Sequence, residues 1–377
     1  MEERLGEVWE YGGPAASRLW EKSAIGVIIE GGKLLLSDSE VLFCHNHRGI
    51  SIPTITGNQD YSDWIAQRVH LTPNLLQEAA ILEALRVPGN KVVLSKNANL
   101  LGIEESGSWA IRWSSDCHPS NHPPISEVLW FHSKDELRGI GNGSNHILKE
   151  LLHWCNSVSS KGRIAEVLVI DEEQSVVTYR IQEANPNGQM SAPNYETFRM
   201  INDMGSFRQS WDGAFFPEVI DWPSDVIGIP LFGGRQLDKI ECELVRELGA
   251  AKNADNSQHM IESINDTFDE VLLDGLSESA SILLNLWMRG LNTRSGFKYG
   301  TTWRCYPGDV GDGHAPWLIV DPNNEGPANW ADACLSSRLA SGVNKQWIYP
   351  MFDDGRWRYL EISRPPSDSR WSNPNRQ

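Results

Sequence analysis

The sequence predicts an α/β fold with mixed sheets, built from two similar units in tandem. Three observations support this prediction. Strand-like and helix-like segments follow one another in the same order in both halves of the chain. Each half closes with a predicted hairpin around an acidic turn, and these turns, Asp171–Gln174 and Asp353–Gly355, start 182 residues apart. A segment rich in Asn, Pro, Gly, Ser and Met separates the halves. The likeness lies in order and periodicity more than in identity, which indicates a faint internal duplication.

The first half begins and ends with strand-like segments. Its predicted strands are Ala24–Ile29, Lys33–Leu36, Trp109–Trp113, Val128–Phe131, Glu166–Ile170 and Ser175–Ile181. Between them, apolar residues recur at helical spacing over Leu75–Leu85 and again at Ile147, Leu148, Leu151, Leu152 and Cys155.

The second half repeats this order. Its predicted strands are Val226–Leu231, Thr301–Tyr306, Trp317–Val320, Trp347–Phe352 and Arg356–Ile362. Predicted helices cover Lys239–Leu248, Ala280–Met288 and Asn329–Asn344. The Asp-Gly pair between the last two strands is a strong hairpin signal.

These patterns predict the domain boundaries. The first unit covers 1–182, with a small mixed N-terminal part at 1–90 and a mixed-sheet domain at 91–182. A linker follows at 183–219, whose aromatic residues suggest that it packs on a surface. The second unit covers 220–377, divided into 220–292 and 293–377. The polar residues 365–377 are expected to be frayed.

Composition and charge restrict the function. The chain has 377 residues, 40% hydrophobic and 22% charged, which is typical of a soluble globular protein. Its acidic N-terminus and its lack of a long apolar stretch predict a cytoplasmic protein without a membrane partner. The net charge is −17, which disfavours anionic partners in general. Residues 293–377, however, carry ten Lys and Arg against nine Asp and Glu, so an anionic substrate is tolerable there.

The six cysteines are scattered without a C-x-x-C pair and are interpreted as free thiols. Two short clusters contain possible metal ligands: Cys44, His45 and His47, and Cys117, His118 and His122. Each lacks a second pair at structural-zinc spacing, so loop or core roles are favoured and no metal or other cofactor is expected.

The segment with the strongest chemical signal is Gly300–His314 together with the helix that ends near Lys345. Tyr306 ends a predicted strand, Pro307-Gly308-Asp309 begins a loop, and His314 stands at the far end of that loop. Arg338 and Lys345 are seven residues apart, so a helix that continues to Lys345 would place both within about 20° of one face. They flank an apolar stripe formed by Leu335, Leu339 and Val343.

This arrangement resembles the catalytic domain of archaeal tRNA-splicing endonucleases. The family pattern is a strand that ends in Tyr-Pro-Gly-Asp, a nearby His, and an Arg-x-Ala-x-x-Val-x-Lys helix, which here reads Arg338, Ala340, Val343 and Lys345. The specific part of the match runs from Tyr299 to Glu361. The loop from Tyr306 to His314 looks about two residues shorter than in the family.

The resemblance implies excision of introns from precursor tRNA at bulge-helix-bulge motifs without a metal. Tyr306 would be the general base for the 2′-OH, His314 the general acid for the 5′-oxygen, and Lys345 the cation that stabilises the pentavalent phosphorus. The products would be a 2′,3′-cyclic phosphate and a 5′-hydroxyl. The negative charges of Asp309 and Asp312 would repel a phosphate unless these residues orient His314 or face outward.

The resemblance also implies RNA-binding and assembly residues. Arg338 matches one side of a clamp on a bulged nucleotide, and Trp357 or Arg358 could form the other side. The first unit has Trp113 near the place of Tyr306 and is interpreted as non-catalytic. Its acidic turn, with Asp171, Glu172 and Glu173, would dock on the catalytic unit of a second copy in a homodimer.

Two alternatives remain at this stage. A metal-dependent nuclease of the restriction-enzyme type would place an acidic residue two positions before a Lys, and none of the eleven lysines has one. A non-catalytic structural or RNA-binding subunit would be expected to lack Tyr306, His314 or Lys345, and all three are present.

Overall fold

The computed structural model describes residues 2–4, 8–53, 60–137, 146–205, 207–217, 221–249 and 275–373. The helices are α1 Pro14–Ser23, α2 Asp38–Arg48, α3 Tyr61–Leu71, α4 Leu75–Arg86, α5 His146–Ser160, α6 Tyr195–Asp203, α7 Lys239–Gly249, α8 Glu278–Met288, α9 Pro322–Glu325 and α10 Trp330–Gly342. Within these described ranges, every helix is too short or too polar to cross a membrane.

The strands fall into three sheets. The first half contributes β1 Glu2–Arg4, β2 Val8–Tyr11, β3 Val27–Ile28, β4 Leu34–Ser37, β5 Lys91–Leu94, β6 Ala110–Trp113, β7 Ser126–His132, β8 Ile164–Ile170 and β9 Val176–Ala184. The second half contributes β10 Arg208–Ser210, β11 Gly213–Phe216, β12 Ile229–Leu231, β13 Gly234–Leu237, β14 Asn292–Ser295, β15 Trp303–Tyr306, β16 Trp317–Ile319, β17 Gln346–Asp353 and β18 Arg356–Ser363.

A ten-stranded mixed sheet runs through both halves in the order β14-β15-β16-β17-β18-β9-β8-β7-β6-β5. Each half contributes five strands that pair antiparallel, antiparallel, parallel and antiparallel in chain order. The halves meet where β18 pairs antiparallel with β9. This arrangement confirms the predicted α/β class with mixed sheets.

Each half also has a small four-stranded sheet that precedes its part of the large one. Their strand orders are β1-β2-β4-β3 and β10-β11-β13-β12, which is the same topology in both halves. A helix follows directly in each case, α2 after β4 and α7 after β13. In both helices a glutamate at the third helical position accepts the backbone N–H of the N-cap residue: Glu40 from Ser37, and Glu241 from Asp238.

Hydrophobic cores cover both faces of the large sheet. Helices α5 and α10 pack with Trp347 and Tyr349 of β17, whereas the neighbouring Ile348 belongs to the core formed with α7 and α8. Successive strand residues face opposite sides of a sheet, so β17 is buried on both faces. Its run of large apolar residues reflects this double burial.

The segment after β18 crosses from the second half back to the first. After β18, the backbone of Trp371 and the hydroxyl of Thr178 in β9 form hydrogen bonds of 2.6 and 2.9 Å. The Arg112 guanidinium lies 4.9 Å from the Trp371 ring centroid. The expectation that the chain frays from Pro365 is therefore wrong for the described residues up to 373, because Trp371 packs against the first half.

The structure differs from the predicted organisation in the segment 183–219. This segment forms α6, β10 and β11, and the two strands belong to the small sheet of the second half. Phe198, Ile201 and Phe216 are buried in the core of that half. The aromatic residues that suggested surface packing thus include core residues of the second unit, and the stretch without regular structure before α6 runs from Asn185 to Asn194.

Candidate active site

Strand pairing places the predicted catalytic residues at one end of the large sheet. Cys305 of β15 pairs with Trp317 of β16, which in turn pairs with Gln346 of β17. Tyr306 and Lys345 each lie one residue beyond this row, and His314 precedes β16 by three residues. Since neighbouring strands are about 4.8 Å apart, the backbones of Tyr306 and Lys345 are separated by roughly 10 Å.

Tyr306 is fixed by its strand. It pairs with Asn292 of β14 and is 8% exposed. The Arg304 guanidinium lies 5.7 Å from the Tyr306 ring centroid, so a positive charge stands beside the phenol.

His314 lies in the exposed loop between β15 and β16. The loop begins at Pro307, and Asp309 and Asp312 are both exposed within it. The next residue, Ala315, is buried and anchors the end of the loop against the sheet. His314 is therefore solvent-accessible and its backbone is fixed on one side, as a general acid for an external substrate requires.

Lys345 lies beyond the helix that was predicted to contain it. Helix α10 ends at Gly342, and Asn344 has a left-handed backbone with φ 55°. The N–H of Lys345 donates to the carbonyl of Ala340 and that of Asn344 to Ser341, which is the Schellman arrangement. The prediction that Arg338 and Lys345 share one helical face is therefore wrong, because the chain leaves the helix between them.

Two neutral groups contact the Lys345 ammonium. Its Nζ donates a hydrogen bond to the carbonyl oxygen of Ala315, directly after His314. Nζ also lies 5.5 Å from the centroid of the Tyr299 ring. Sheet pairing continues the link, since the N–H of Gln346 donates to the carbonyl of Pro316 at 2.9 Å.

Arg338 is exposed on α10, and the apolar stripe beside it is exposed as well. Leu339 is 55% exposed, and Leu335 and Val343 are similarly accessible. The buried face of α10 consists instead of Trp330, Ala333, Ser337 and Ala340. The stripe that the sequence indicated as apolar therefore does not face the core.

Neither residue proposed for the second side of the nucleotide clamp is available in the structure. Trp357 is 1% exposed and packs edge-on against Phe352, with ring centroids 5.5 Å apart. Arg358 is buried and donates to Glu183 at 2.6 and 2.9 Å and to Asp353 at 3.1 Å. Both lie near the start of β18, at the end of the sheet opposite Lys345. The clamp prediction fails for both because strand β18 directs them into the core and into ion pairs.

Arg364 is the cationic residue that the sequence reasoning missed. It follows the last residue of β18, Ser363, at the end of the sheet that holds Lys345. Burial raises the pKa of the Tyr179 phenol, whereas the charges of Arg364 and Arg338 both act on it in the lowering direction. The geometry agrees, since Ser363 pairs with Arg180 of β9 and the Tyr179 hydroxyl donates to the Cys334 carbonyl, one turn before Arg338. The sequence could have indicated Arg364, because side chains two residues apart share one face of a strand. Arg364 follows Leu360 and Ile362 on their face, toward the end of the sheet that holds Lys345.

The first half has the same geometry with other residues. Arg112 pairs with Ser126, and Ser126 pairs with Ile164, which corresponds to the row Cys305–Trp317–Gln346. Trp113 thus takes the place of Tyr306, as predicted, and Arg163 takes the place of Lys345. Trp113 is buried and its indole donates to the carbonyl of His122 at 2.8 Å.

The acidic turn of the first half forms the hairpin between β8 and β9. Asp171 Oδ1 accepts the N–H groups of Glu173 and Ser175 at 2.9 and 2.8 Å, so this carboxylate stabilises the turn. Glu172 forms an ion pair with Lys134, and a hydrogen bond from that lysine lowers the pKa of the carboxyl. Glu173 is exposed.

The possible metal ligands have structural contacts. His45 Nδ1 lies 3.0 Å from the carbonyl oxygen of Ile50, and burial raises the pKa of the Cys44 thiol to about 12. His118 Nε2 lies 2.9 Å from the carbonyl of Trp20. In the described part of the chain, His153, Asp353 and Asp354 group their ligand atoms within 4.8 Å. Asp353 already accepts from Arg358, and the group lies at the far end of β17 from Lys345.

Comparison with known proteins places the catalytic resemblance in the C-terminal part of the chain. Residues 278–359 match the family model described as the tRNA intron endonuclease, catalytic C-terminal domain. A tRNA-splicing endonuclease from Thermoplasma volcanium is 34% identical over 90 residues, which cover 24% of this chain and 29% of that protein. A tRNA-splicing endonuclease from Methanococcoides burtonii is 24% identical over 231 residues, which cover 58% of this chain and 63% of that protein.

The chain thus spans less than two thirds of the length of these relatives. Tyr306, His314, Arg338 and Lys345 all lie inside the segment that matches the family model, and Arg364 lies just beyond it. These matches confirm the predicted resemblance of the chain to archaeal tRNA-splicing endonucleases, carried by residues 278–359, the segment that matches the catalytic C-terminal domain of the tRNA intron endonuclease family.

Proposed function

We propose that this protein is an endoribonuclease that excises introns from precursor tRNA at bulge-helix-bulge motifs by metal-independent transphosphorylation. The observation that carries the proposal is the convergence of Tyr306, the His314 loop and Lys345 at one end of the sheet. This convergence lies within the segment similar to the tRNA intron endonuclease catalytic domain.

In the proposed reaction the RNA supplies its own nucleophile. Tyr306 reacts as its phenolate and accepts the proton of the 2′-OH, becoming a neutral phenol, as this oxygen attacks the adjacent phosphorus. The bond from phosphorus to the 5′-oxygen breaks, and His314 donates a proton to that oxygen. Lys345 stabilises the additional negative charge of the pentavalent state. The products are a 2′,3′-cyclic phosphate and a 5′-hydroxyl.

Arg338 and Arg364 are proposed to bind the nucleotides beside the cleaved bond. Both lie near Tyr179, and Arg364 directly follows β18, the strand that pairs with β17. A guanidinium can stack on an exposed base and also pair with phosphate oxygens. Arg364 therefore replaces Trp357 and Arg358 as the second side of the proposed clamp.

Assembly as a homodimer is part of the proposal. The turn with Asp171, Glu172 and Glu173 would dock on the catalytic unit of a second copy. Asp171 shapes the turn from within and Glu172 pairs with Lys134, so the contact would depend mainly on the exposed Glu173. Two catalytic ends at fixed spacing would recognise two bulges by shape and not by sequence.

The direct test is cleavage of a labelled bulge-helix-bulge RNA in EDTA, with wild type beside His314→Ala. The expected result is cleavage that persists in EDTA, leaves cyclic phosphate ends and is lost in the variant. Absence of cleavage by the folded wild type would indicate a non-catalytic subunit. Cleavage that EDTA abolishes would indicate a metal-dependent nuclease and contradict the proposed mechanism.

A further inference from the structure

We infer that Tyr299 is a positioning residue for Lys345 and that the face of its ring holds the lysine ammonium ready for the phosphate. The contact itself is independent of the function, whereas its catalytic consequence rests on the function proposed above. In the proposed reaction Tyr299 takes no proton and acts only through Lys345.

The backbone around Tyr299 is fixed by a short turn. Phe297–Tyr299 form a single 3₁₀ turn between β14 and β15, closed by a hydrogen bond of 2.7 Å from the Tyr299 N–H to the carbonyl of Gly296. Gly300 follows in the left-handed region with φ 67°. The N–H of Gly296 donates to Thr302 at 2.9 Å and holds the two strands together below the turn. The Tyr299 side chain therefore extends from a backbone turn that hydrogen bonds hold in place.

The Tyr299 ring packs on the core beneath α10 and is reached by Lys345. Tyr299 is half-buried against the hydrophobic cluster that includes Leu318 and Trp330. The Lys345 Nζ atom lies 5.5 Å from the ring centroid, within the distance at which an ammonium is attracted by an aromatic face. On its other side Nζ donates to the carbonyl of Ala315.

The chemical nature of these two partners supports the inference. Lys33, Lys134 and Lys239 pair with the carboxylates of Glu10, Glu172 and Asp212, which neutralise their charge locally. Lys345 is instead held by a carbonyl and an aromatic ring, which are both neutral. These contacts restrict a flexible side chain and leave its full charge available for a phosphate. A lysine that stabilises an anionic transition state acts more strongly when it is held in position and its charge is not neutralised.

The same contacts connect Lys345 to the general acid. Ala315 follows His314 directly, so the hydrogen bond from Lys345 also fixes the loop that carries the imidazole. Tyr299 thereby limits the position of Lys345, and Lys345 limits the position of the His314 backbone. Loss of the ring should affect the rate of cleavage more than the binding of RNA.

The test compares variants at position 299 in single-turnover cleavage at saturating bulge-helix-bulge RNA. Tyr299→Phe keeps the aromatic face and should cleave at nearly the wild-type rate. Tyr299→Leu removes it and should lower the rate by about 3- to 30-fold, the range of a cation–aromatic contact. Affinity for the same RNA with a 2′-deoxy substitution at the cleavage site should not change. Phe297→Leu is the matched control, since Phe297 is in the same turn and is 86% exposed.

Two further measurements separate positioning from packing. Incorporation of 3,4,5-trifluorophenylalanine at position 299 retains the ring shape and weakens its negative face, so the rate should fall to near that of Tyr299→Leu. In a Lys345→Ala background, Tyr299→Leu should have no additional effect. A trifluoro variant as fast as Tyr299→Phe, or additive effects in the double variant, would overturn the inference.

A readout without RNA keeps the inference distinct from the proposed function. Acetylation of Lys345 by a limiting amine-reactive reagent, measured by mass spectrometry against Lys33 as internal standard, should increase in Tyr299→Leu. Unchanged acetylation would overturn the contact even if the wild type cleaves RNA. Increased acetylation in a protein that cleaves no RNA would support the contact and contradict the proposed function.

Discussion

The two halves of the ten-stranded sheet have the same topology, but the cationic residues at their equivalent sites have different partners. At the first-half end, Arg163 occupies the place of Lys345 and donates to buried Glu127 at 2.7 Å. Arg112, in the row beside it, forms a bidentate pair with buried Glu166 at 2.7 and 2.9 Å. At the second-half end, Lys345 contacts a carbonyl and a ring, and Cys305 replaces Arg112. In the first half, buried glutamates neutralise both arginines, so this site is structural. In the second half, the partners of Lys345 are neutral, so its charge can act on an external anion.

The largest expected effect separates the two cations in equivalent places. Lys345→Ala should lower the single-turnover cleavage rate by about 100- to 1,000-fold, because it removes a charge that acts on the transition state. Arg163→Ala should leave the rate close to that of wild type. It should instead lower the unfolding free energy by about 1–3 kcal/mol, because Glu127 loses a buried partner. Cleavage assays and urea unfolding of both variants provide the measurement, and comparable rate losses in both would contradict the comparison.

An intermediate effect is expected where the segment between the two halves contacts the loop that follows Tyr306. The backbone N–H of Gly188 donates to the carbonyl of Arg289 at 2.8 Å, and the backbone N–H of Gln189 donates to the carbonyl of Pro307 at 2.7 Å. A Cβ at Gly188 would lie 2.2 Å from the Gly290 carbonyl oxygen and 2.7 Å from that of Pro307. Gly188→Ala should therefore shift the residue after Tyr306 and destabilise the protein by about 2–3 kcal/mol.

Thermal unfolding and cleavage rates measured together test this contact. The control is Asn187→Ala at the exposed neighbouring position, which should be within about 0.5 kcal/mol of wild type. Wild-type stability and activity in Gly188→Ala would show that the two backbones can separate without cost.

The smallest expected effect is a pH dependence of stability that arises at Glu241 in the second half. Glu40 and Glu241 are equivalent: each accepts a backbone N–H from a glycine, Gly26 or Gly228, and another from its helix N-cap. In the first half the cap is Ser37, and the Arg86 guanidinium lies 3.5 Å from Glu40. In the second half the cap is Asp238. Burial, and next the charge of Asp238, raise the pKa of Glu241 to about 8.

The direction of the pH effect follows from this shift. Because the folded-state pKa lies above the ordinary value of 4.5, the stability contributed by protonated Glu241 is complete below pH 4.5 and is lost as the pH rises through about 8. Asp238→Ser reproduces the first-half cap and should raise the unfolding free energy above pH 7 by about 1 kcal/mol, with little change at pH 5. Equal changes at both pH values in urea unfolding would contradict the assignment to Glu241.

Local patterns in the sequence predicted most elements of the large sheet. The hairpins β8–β9 and β17–β18 form where alternating apolar residues flank acidic turns, and α10 begins after Asn329, whose side chain accepts the N–H of Asp332. The segment 183–219 was less predictable. Its Asn, Pro and Gly content is typical of a linker, but tertiary burial of Phe198 and Phe216 recruits it into the second unit.

The candidate site was predictable in its residues and not in its contacts. The order Tyr306, His314, Arg338, Lys345 is a pattern along the chain, so the sequence alone indicated the chemistry and the resemblance. The roles of Trp357 and Arg358 depended on which side of β18 is buried and which carboxylates lie across from it. Glu183 lies on β9, 175 residues from Arg358 in the sequence, and Asp353 is the last residue of β17, directly across the hairpin turn.

The sequence by itself determined the α/β class, the order of elements in each half and the set of residues proposed for catalysis, because these depend on periodicity and on side-chain type. Only the tertiary structure decided that β18 joins β9, that Arg364 lies at the catalytic end and that the Tyr299 ring meets Lys345. The physical reason is that strand pairing and charge compensation are long-range. They depend on residues more than 40 positions apart, such as Tyr299 and Lys345, whose proximity no local pattern encodes.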